Sequence, residues 1–320
     1  ILKAPDMALI KKQEMILQTP KRLPDATHFV QYIKKHHQTD LHLHKNPTIR
    51  TTLDSGLQQY VQQIVDQRIR FLKPRQVHNG AVLVIDHTTG EILSWVVVGS
   101  SLKGETPANR INAVTALRQP GSTLKPFLYA AALQKGWHTT TLIDDAPLTG
   151  AVGNGMHQFR NSSNIHYGLV TLREALANSL NIPAVKAIQF VGVENFLTLL
   201  KQLGFNSLGR AASIYEEGLA LGNGEVSLME LTKAYAILAN KGKSQNLKFL
   251  LNTTNQHDRS AQILPETVTS LISDILSDEW ARHLEFGMGG VMSLPLQTAI
   301  KTGTSTDYRD AWIVGYNHKY

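Results

Sequence analysis

The amino-acid sequence predicts an α+β domain in which an antiparallel sheet is flanked by helices. Two apolar, β-branched runs, "GAVLVID" and "EILSWVVVG", are separated by "HTTG" and predict a β-hairpin. Segments with helical periodicity follow from about residue 108, and "LQTAIKTGTS" and "DAWIVGYN" then return to strand-like patterns. Because strands enclose the helices, we expect the hairpin and the last strands to form one antiparallel sheet with a helical subdomain between them.

The N-terminal quarter differs from the rest in charge and in pattern. Residues 1–75 hold 13 Lys/Arg and 6 Asp/Glu, which accounts for the whole net charge of +7. A solvated linker face or a contact with an anionic surface fits this excess, and nucleic-acid binding is not expected because no aromatic residues interleave with the basic ones. "DMALIKKQEMILQ", "THFVQYIKKHH" and "SGLQQYVQQIVDQRI" predict helices, the last capped by Asp54, and "TIRTTLD" predicts a strand.

The later helices carry recognisable ends. "TLREALANSL" opens with Thr171 and has Glu174 three positions on, the spacing of a capping box. "STLKPFLYAAALQKG" ends at Gly136, which suits the position just past a helix. Three further helices are predicted in "VENFLTLLKQLG", "SLMELTKAYAILANKG" and "LPETVTSLISDILSD".

The composition excludes several kinds of chemistry. Among 320 residues there is no cysteine, which rules out thiol catalysis, disulfides and cysteine-ligated zinc. No apolar run approaches the roughly 18 residues that a membrane-spanning helix needs. Histidines at 36–37 and 42–44 are spaced for metal binding, but a third ligand is not evident. We therefore predict no metal and no cofactor.

The start of one apolar helix carries a candidate nucleophile and base. In "RQPGSTLKPFLYAAAL", Ser122 and Lys125 are three positions apart and share a helix face. A serine hydroxyl becomes a strong nucleophile when a neighbouring base takes its proton, and a lysine serves as base when burial or another cation lowers its pKa. Pro126 clashes with the carbonyl four residues back, so the helix is expected to begin near Ser122, at the positive end of its dipole.

Two further polar motifs decide between a catalytic serine and an ordinary capping serine. Alone, Ser122 is better explained as an N-cap than as a nucleophile. "SLN" (Ser179 and Asn181) and "KTGTS" (from Lys301) follow in order, separated by helical segments. The glycine in the last motif suits a strand edge that a substrate backbone approaches closely. The three motifs together are the signature of serine enzymes that react with penicillin.

With these motifs the sequence resembles the transpeptidase domain of the class A penicillin-binding proteins. The resemblance extends over "GAVLVIDHTTGEILSWVVVGS", "LRQPGSTLKPFLYAAAL", "YGLVTLREALANSLNIPAVKAIQFVG", "ALGNGEVSLMELTKAYAILANKG" and "KTGTSTDYRDAWIVGY". "FRNSSNIHYG" and "KTGTSTDYRDAW" resemble the penicillin-binding protein 1C subgroup. The resemblance implies the fold shared with serine β-lactamases and a peptidoglycan D,D-transpeptidase that works through a serine acyl-enzyme.

The resemblance also implies a role for each matching residue. Ser122 would be the nucleophile, Lys125 its base, and Ser179 the group that passes a proton to the leaving group. The backbone N–H groups of Ser122 and Thr304 would form the oxyanion hole. The substrate-binding residues implied by the family motifs are Asn181, Lys301, Thr302, Gly303 and Thr304. The donor would be a stem peptide ending in D-Ala-D-Ala, the acceptor an amine of a neighbouring stem peptide, and β-lactams would be covalent inhibitors.

The resemblance implies a domain organisation and a location as well. Residues 1–50 resemble the tail of a glycosyltransferase, without its catalytic part, and a linker, and 51–320 resemble the transpeptidase domain. The family has another strand after "DAWIVGY", so the sheet is expected to lack its last strand in a chain that stops at Tyr320. The implied location is extracytoplasmic, with membrane attachment only through an N-terminal anchor outside this sequence.

Three other functions share these motifs. A class A β-lactamase needs a glutamate that activates water for deacylation, and Glu216 and Glu217 lie near its expected place without the asparagine four residues on. A D,D-carboxypeptidase would use water as acceptor in the same site. A non-catalytic β-lactam sensor or scaffold would keep the fold and the acylation, although every catalytic residue type is present.

Overall fold

The computed structural model describes residues 25–36, 49–99, 111–152, 155–251 and 260–320. The helices are α1 Thr27–His36, α2 Ser55–Leu72, α3 Lys125–Gln134, α4 Leu172–Ala177, α5 Asn181–Val191, α6 Val193–Gln202, α7 Ala212–Tyr215, α8 Leu228–Ala239, α9 Glu266–Ser277 and α10 His283–Phe286. The strands are β1 Asn79–Asp86, β2 Glu91–Gly99, β3 Leu142–Asp145, β4 Leu148–Val152, β5 Gly155–Phe159, β6 Gly168–Thr171, β7 Ala299–Thr304 and β8 Ala311–Tyr316. Short 3₁₀ turns cover Lys73–Arg75, Gly121–Leu124, Glu216–Leu221 and Thr306–Tyr308.

The predicted N-terminal hairpin is present and is covered by helices. Strands β1 and β2 pair antiparallel, with a register shift between Val84 and Ile85. Helix α2 packs on the hairpin through Val65 and Ile69. The ring of Phe29 on α1 meets Trp95 on β2 edge to face, with 5.8 Å between ring centroids. The hairpin therefore has its own apolar core, which the two N-terminal helices supply.

A second, larger core lies among the helices. Helix α3 is buried on nearly every side, because α5, α6 and α9 pack around it. The ring of Phe127 on α3 makes edge-to-face contacts with Phe205 and Tyr235, at centroid distances of 5.7 and 5.2 Å. The phenol of Tyr235 donates a hydrogen bond of 2.8 Å to the carbonyl of Thr123. Helix α8 thereby holds the turn in front of α3 as well as α3 itself.

The predicted helix ends agree with the structure. Asp54 caps α2 by accepting a hydrogen bond from the backbone N–H of Leu57. Thr171 and Glu174 form the complete capping box at the start of α4. Helix α3 ends at Gln134, and Gly136 follows with φ +109°, a conformation that a side chain would strain. The segment "DMALIKKQEMILQ" lies outside the described residues.

The strand predicted in "TIRTTLD" is wrong. Thr51 makes a single antiparallel bridge to Leu250, and no strand forms there. The hydroxyl of buried Thr52 donates to the carbonyls of both Ile92 and Lys248. The alternating pattern thus reflects the Thr52 side chain, which bonds to two other segments of the chain, and the β-pairing is limited to the Thr51 bridge. Helix α2 begins at Ser55, directly after this stretch, and so ends the extended backbone.

The prediction of one continuous sheet is also wrong for the described residues. Strands β1–β2 and β7–β8 form separate two-stranded sheets, which both pack against α8. Between β1 and β8 lies a cleft of about 1240 Å³. Among the described residues no backbone ladder crosses this cleft, and at one end of it the N–H of His87 donates to the carbonyl of Lys319.

The α+β class is confirmed, with two small sheets that the patterns did not indicate. Strands β3 and β6 pair antiparallel, as do β4 and β5, and both pairs lie between α3 and α4 in sequence. Their strands are four or five residues long, too short for a clear alternation of apolar and polar residues. Within the described part of the chain, no helix combines the length and apolar character that crossing a bilayer requires.

The buried amide of Gln58 gives a test of this packing. It accepts from Trp95 N (2.8 Å) and donates to Trp95 O (2.9 Å), so it completes the backbone pairing of β2 from α2. In Gln58→Leu these backbone groups lose their partner at a cost of about 1–3 kcal/mol each. We expect the free energy of unfolding, measured in urea, to fall by about 2 kcal/mol or more. Gln59→Leu, on the exposed side of the same helix, is the control, and an equal loss in both variants would contradict this role.

Candidate active site

The turn before α3 places Ser122 at the start of a helix. Residues Gly121–Leu124 form a 3₁₀ turn, in which the N–H of Lys125 donates to the carbonyl of Ser122. The α-helix begins at Lys125, so Pro126 stands in its first turn, where the missing N–H leaves no helical bond broken. The helix start expected near Ser122 is confirmed. Among the described residues the Ser122 hydroxyl caps no helix and makes no hydrogen bond, so it is free to react.

The amine of Lys125 is fully buried and points at the second motif. Its Nζ donates to the carbonyl of Ser179 (2.6 Å) and to Oδ1 of Asn181 (2.7 Å). Burial lowers the pKa of Lys125 well below the usual value, and the positive charge of Lys301 lowers it further. Lys125 is thus suited to be neutral and to accept a proton. Its amine is not hydrogen-bonded to Ser122 Oγ, as is common before a substrate draws catalytic groups together.

The second motif forms the corner between α4 and α5. Ser179 has φ +59°, a left-handed conformation that a non-glycine residue rarely adopts. The conformation turns its carbonyl toward Lys125 while its hydroxyl accepts a hydrogen bond from Lys301. Such backbone strain costs about 1–3 kcal/mol and is typical of functional sites. Asn181 is the first residue of α5, and Leu180 before it supplies no side-chain cap.

The third motif brings a second buried amine into the site. Lys301 on β7 is 3% exposed, and its Nζ donates to Ser179 Oγ (2.7 Å) and to the carbonyl of Thr302 (2.8 Å). Burial lowers the pKa of Lys301 to about 7. Thr302 is half-buried and Thr304 is exposed at the end of the strand.

Glycines let the third motif lie directly against the Ser122 turn. A Cβ at Gly303 would stand 2.4 Å from the carbonyl oxygen of Pro120, and one at Gly121 would stand 2.3 Å from that of Thr304. Gly121 also has φ +55°. No side chain fits between these backbones, so the backbones at Ser122 and Thr304 lie side by side. The indole N–H of Trp312 on β8 secures the approach with a 2.9 Å bond to the carbonyl of Gln119.

The structure thus brings Lys125, Ser179, Asn181 and Lys301 into direct contact and sets the Ser122 turn against the backbone of Thr304. It adds three residues that the motifs did not indicate: Asp145 and Asn161, which are buried, and Glu285 on α10. The carboxylate of Glu285 accepts from the hydroxyls of Ser163 and Tyr167. Asn161 belongs to the "FRNSSNIHYG" stretch used for the resemblance, which was its only signal. Asp145 and Glu285 belong to no sequence motif, because only the tertiary structure brings them to the site.

The other candidate residues lie elsewhere. The carboxylate of Glu217 accepts a hydrogen bond from Gln189, and Glu216 is the first residue of a 3₁₀ turn. Of the histidines considered for metal binding, His36 is at the end of α1 and the others lie outside the described residues. Three metal-ligating side chains meet nowhere in the ranges that the structure describes.

A family match now accounts for this arrangement. The chain matches the penicillin binding protein transpeptidase domain over residues 80–319, and it belongs to that family. It is similar to penicillin-binding protein 1C of Escherichia coli strain K12, with 31% identity over 278 residues, 86% of this chain and 34% of that protein. It is also 35% identical to penicillin-binding protein 1A of Aquifex aeolicus over 248 residues, 74% of this chain and 32% of that protein.

Solved structures agree on the fold. The crystal structure of penicillin-binding protein 1A from Haemophilus influenzae superposes with a TM-score of 0.63 at 25% identity, covering 75% of this chain and 41% of that one. PonA1 of Mycobacterium tuberculosis in complex with penicillin V gives 0.72 at 20% identity, covering 93% and 82%. The resemblance to class A penicillin-binding proteins is confirmed. Relatives named 1C and 1A match at similar identity, so the 1C subgroup stays a prediction.

The charge of Glu285 gives a test of the electrostatics around Lys125. Its negative charge raises the pKa of Lys125 and so opposes part of the effect of burial and of Lys301. Removing that charge in Glu285→Gln should lower the pKa of Lys125 further. The measurement is an NMR titration of protein labelled with ¹³C at the lysine Cε, with Lys125→Arg to assign the signal.

The control for this titration is Glu279→Gln, on the same segment, whose carboxylate accepts from Ser293 and Gly289 and not from the site. It should leave the Lys125 titration unchanged. A pKa that stays constant or rises in Glu285→Gln would show that the carboxylate does not act on this amine.

Proposed function

We propose that this domain is a peptidoglycan D,D-transpeptidase whose nucleophile is Ser122 and which β-lactams acylate at the same atom. The observation that carries the proposal is the pair of buried amines, Lys125 and Lys301, that meet at Ser179, together with the Ser122 turn that lies directly against β7. The family match supports the reaction type. The chain spans about a third of the length of the penicillin-binding proteins 1C and 1A that it matches, so the proposal concerns this domain alone.

The first half-reaction would be acylation by the donor stem peptide. Oγ of Ser122 attacks the carbonyl carbon of the penultimate D-Ala, and the hydroxyl proton passes to the neutral amine of Lys125. The C–N bond then breaks, and the terminal D-Ala leaves as an amine after it receives a proton. With a β-lactam the same attack opens the lactam ring. The depressed pKa of Lys125 supports its role, because an ordinary lysine would be protonated near neutral pH.

The proton would reach the leaving group through Ser179. Its hydroxyl already accepts a hydrogen bond from Lys301, and its carbonyl holds Lys125. With a pKa of about 7, Lys301 is partly protonated near neutral pH and can keep a positive charge in the site. Because the two amines interact, the site loses its protons in two steps whose apparent pKa values belong to the pair and not to either lysine. We therefore assign the proton transfer to the Lys125–Ser179–Lys301 group.

The developing negative charge would be stabilised by backbone groups. The N–H groups of Ser122 and Thr304 are the proposed oxyanion hole, and the close contact at Gly121 and Gly303 supports it. Hydroxyls of Thr302 and Thr304 would bind the terminal carboxylate of the donor, beside the charge of Lys301. Asn181 would hold the substrate amide, although both ends of its own amide are engaged by Lys125 and by the carbonyl of Arg160.

The second half-reaction would transfer the acyl group to an acceptor. An amine of a neighbouring stem peptide attacks the ester carbonyl, the C–O bond to Ser122 breaks, and the serine oxygen regains a proton as the amine loses one. A transpeptidase and a carboxypeptidase differ only in whether amine or water takes this step. The contacts of Glu217 with Gln189 place it away from the motifs and give no support to fast hydrolysis of a penicilloyl-enzyme.

This function implies a setting for the domain. Its substrates are peptidoglycan stem peptides, so we propose an extracytoplasmic location, with membrane attachment through a segment outside residues 51–320. Residues 1–50 would be the linker that follows a glycosyltransferase domain. The reaction as written needs no cofactor, since every proton and bond is handled by side chains and backbone groups of the chain.

Intact-mass analysis after incubation with a labelled penicillin tests the nucleophile. Wild-type protein should gain one penicilloyl adduct, and Ser122→Ala none, since the variant lacks the proposed nucleophile. Lys125→Ala should slow adduct formation by about 10²-fold or more, which is the size of a general-base contribution. Thr123→Ala is not a suitable control because Thr123 is buried in the turn, so the exposed Ser162→Ala serves instead.

Three results would contradict parts of this proposal. An adduct that persists in Ser122→Ala would refute the nucleophile. Release of penicilloate within seconds would favour a β-lactamase. Acylation without cross-linked product, when muropeptides that carry a free acceptor amine are supplied and analysed by mass spectrometry, would favour a sensor or a carboxypeptidase, according to whether D-Ala is released.

A further inference from the structure

We infer that Asp145 and Asn161 are positioning residues, which set the place of the Lys125 amine through Asn181. The inference concerns how the amine is held, and its catalytic consequence rests on the proposed function. Its basis is a series of hydrogen bonds that runs from the carboxyl group of Asp145 through both ends of the Asn161 amide to the backbone N–H of Asn181. None of these groups lies within the three sequence motifs except Asn181 itself.

The series starts at a carboxyl group with no access to solvent. Asp145, the last residue of β3, is 0% exposed. Its Oδ2 accepts from Nδ2 of Asn161 (2.7 Å) and from the backbone N–H of Tyr167 (2.9 Å). A buried carboxyl group is costly unless hydrogen bonds compensate for lost water. Asp145 thus holds the loop between β5 and β6 from both ends, at Asn161 and at Tyr167.

The Asn161 amide has a fixed orientation. It is 3% exposed, and its Nδ2 donates to Asp145 and to the carbonyl of Ile165 (2.9 Å). Two acceptors at one end of the amide determine which end is nitrogen. The oxygen, Oδ1, must then face the other way, and it accepts the backbone N–H of Asn181 at 2.8 Å.

The contact with Asn181 replaces a missing helix cap. The first N–H groups of a helix have no partner within the helix, and Leu180 supplies no side-chain cap to α5. Asn161, 20 residues earlier in the chain, takes this place. The backbone of Asn181 is therefore held at the point from which its Oδ1 accepts Lys125 Nζ at 2.7 Å. Its Nδ2 donates to the carbonyl of Arg160, the neighbour of Asn161, so both ends of Asn181 depend on this loop.

The amine has few other constraints. Besides Asn181, Nζ of Lys125 donates to the carbonyl of Ser179, which is itself two residues from Asn181. The charged groups that act on it are Lys301 on β7 and Glu285 on α10. Loss of the Asn161 contact would free the start of α5 and with it both acceptors of Lys125. A displacement of about 1 Å at a catalytic group can cost about 10²-fold in rate.

The test compares Asn161→Ala with Ser162→Ala, its exposed neighbour with no part in the series. The rate constant of acylation by a labelled penicillin is measured across pH, together with the NMR titration of Lys125 and the free energy of unfolding. We expect Asn161→Ala to lower the plateau rate by up to about 100-fold. Because the amine loses an acceptor that favours its charged form, the acidic limb of the pH profile and the Lys125 titration should both move to lower pH.

Substitutions at Asp145 distinguish an effect on the position of the Lys125 amine from a general loss of protein stability. Asp145→Asn keeps an oxygen that can accept from Asn161 and Tyr167, so its rate and pH profile should stay close to those of wild type. Asp145→Ala removes that oxygen and should behave like Asn161→Ala. If Asn161→Ala does not fold, Asn161→Ser takes its place, since its hydroxyl is too short to reach the N–H of Asn181.

Each outcome either supports or overturns the positioning role of Asp145 and Asn161. The positioning role would be overturned if Asn161→Ala and Asp145→Ala fold with lower stability but keep the plateau rate, pH profile and Lys125 titration of wild type. Both residues would then have a structural role only. If wild-type protein is not acylated at all, the proposed function fails, and the Lys125 titration alone then judges the inference. A titration that shifts in Asn161→Ala and not in Ser162→Ala supports it in that case too.

Discussion

The site depends on one constraint, which is that two lysine amines share a buried space around Ser179. Burial disfavours the charged form of each amine, and the charge on one disfavours the charge on the other. Both amines therefore need uncharged acceptors at short range, and one residue supplies an acceptor to each: the carbonyl of Ser179 to Lys125 and its hydroxyl to Lys301. Ser179 makes both hydrogen bonds because its backbone is left-handed, since an ordinary helical turn would direct the carbonyl along the helix.

The rest of the fold fixes the three segments that meet there. Gly121 and Gly303 admit a backbone contact too close for any side chain, so β7 lies directly on the turn that carries Ser122. The Tyr235 phenol holds this turn from α8, and the Trp312 indole on β8 bonds the carbonyl of Gln119, two residues before the turn. Three elements distant in sequence thus set the position of one serine. Rigid elements of this kind hold reacting groups more accurately than loops do.

Prediction from sequence succeeded where the cause was local. The hairpin, the Asp54 cap and the Thr171 capping box depend on neighbouring residues, and so does the helix start at Lys125, next to Pro126. It failed where tertiary contacts determine the structure. The segment "TIRTTLD" is held by the hydrogen bonds of one threonine and not by a strand, and the two hairpins both pack on α8 without pairing with each other. The motifs located Ser122, Lys125, Ser179, Asn181 and Lys301. They said nothing of Asn161 or Asp145, whose contacts span 16 to 20 residues through loops without pattern.

The origin of the two amines has a mechanistic consequence. Lys125 and Ser179 belong to the helical part, whereas Lys301 comes from β7 in the last hairpin. The Lys301–Ser179 hydrogen bond and the glycine contacts relate the second amine to the first. Because Coulomb energy falls with distance, a larger separation of β7 from Ser179 would weaken the repulsion and allow the pKa of Lys125 to rise. The proton affinity of the proposed base is thus linked to how closely β7 lies against Ser179.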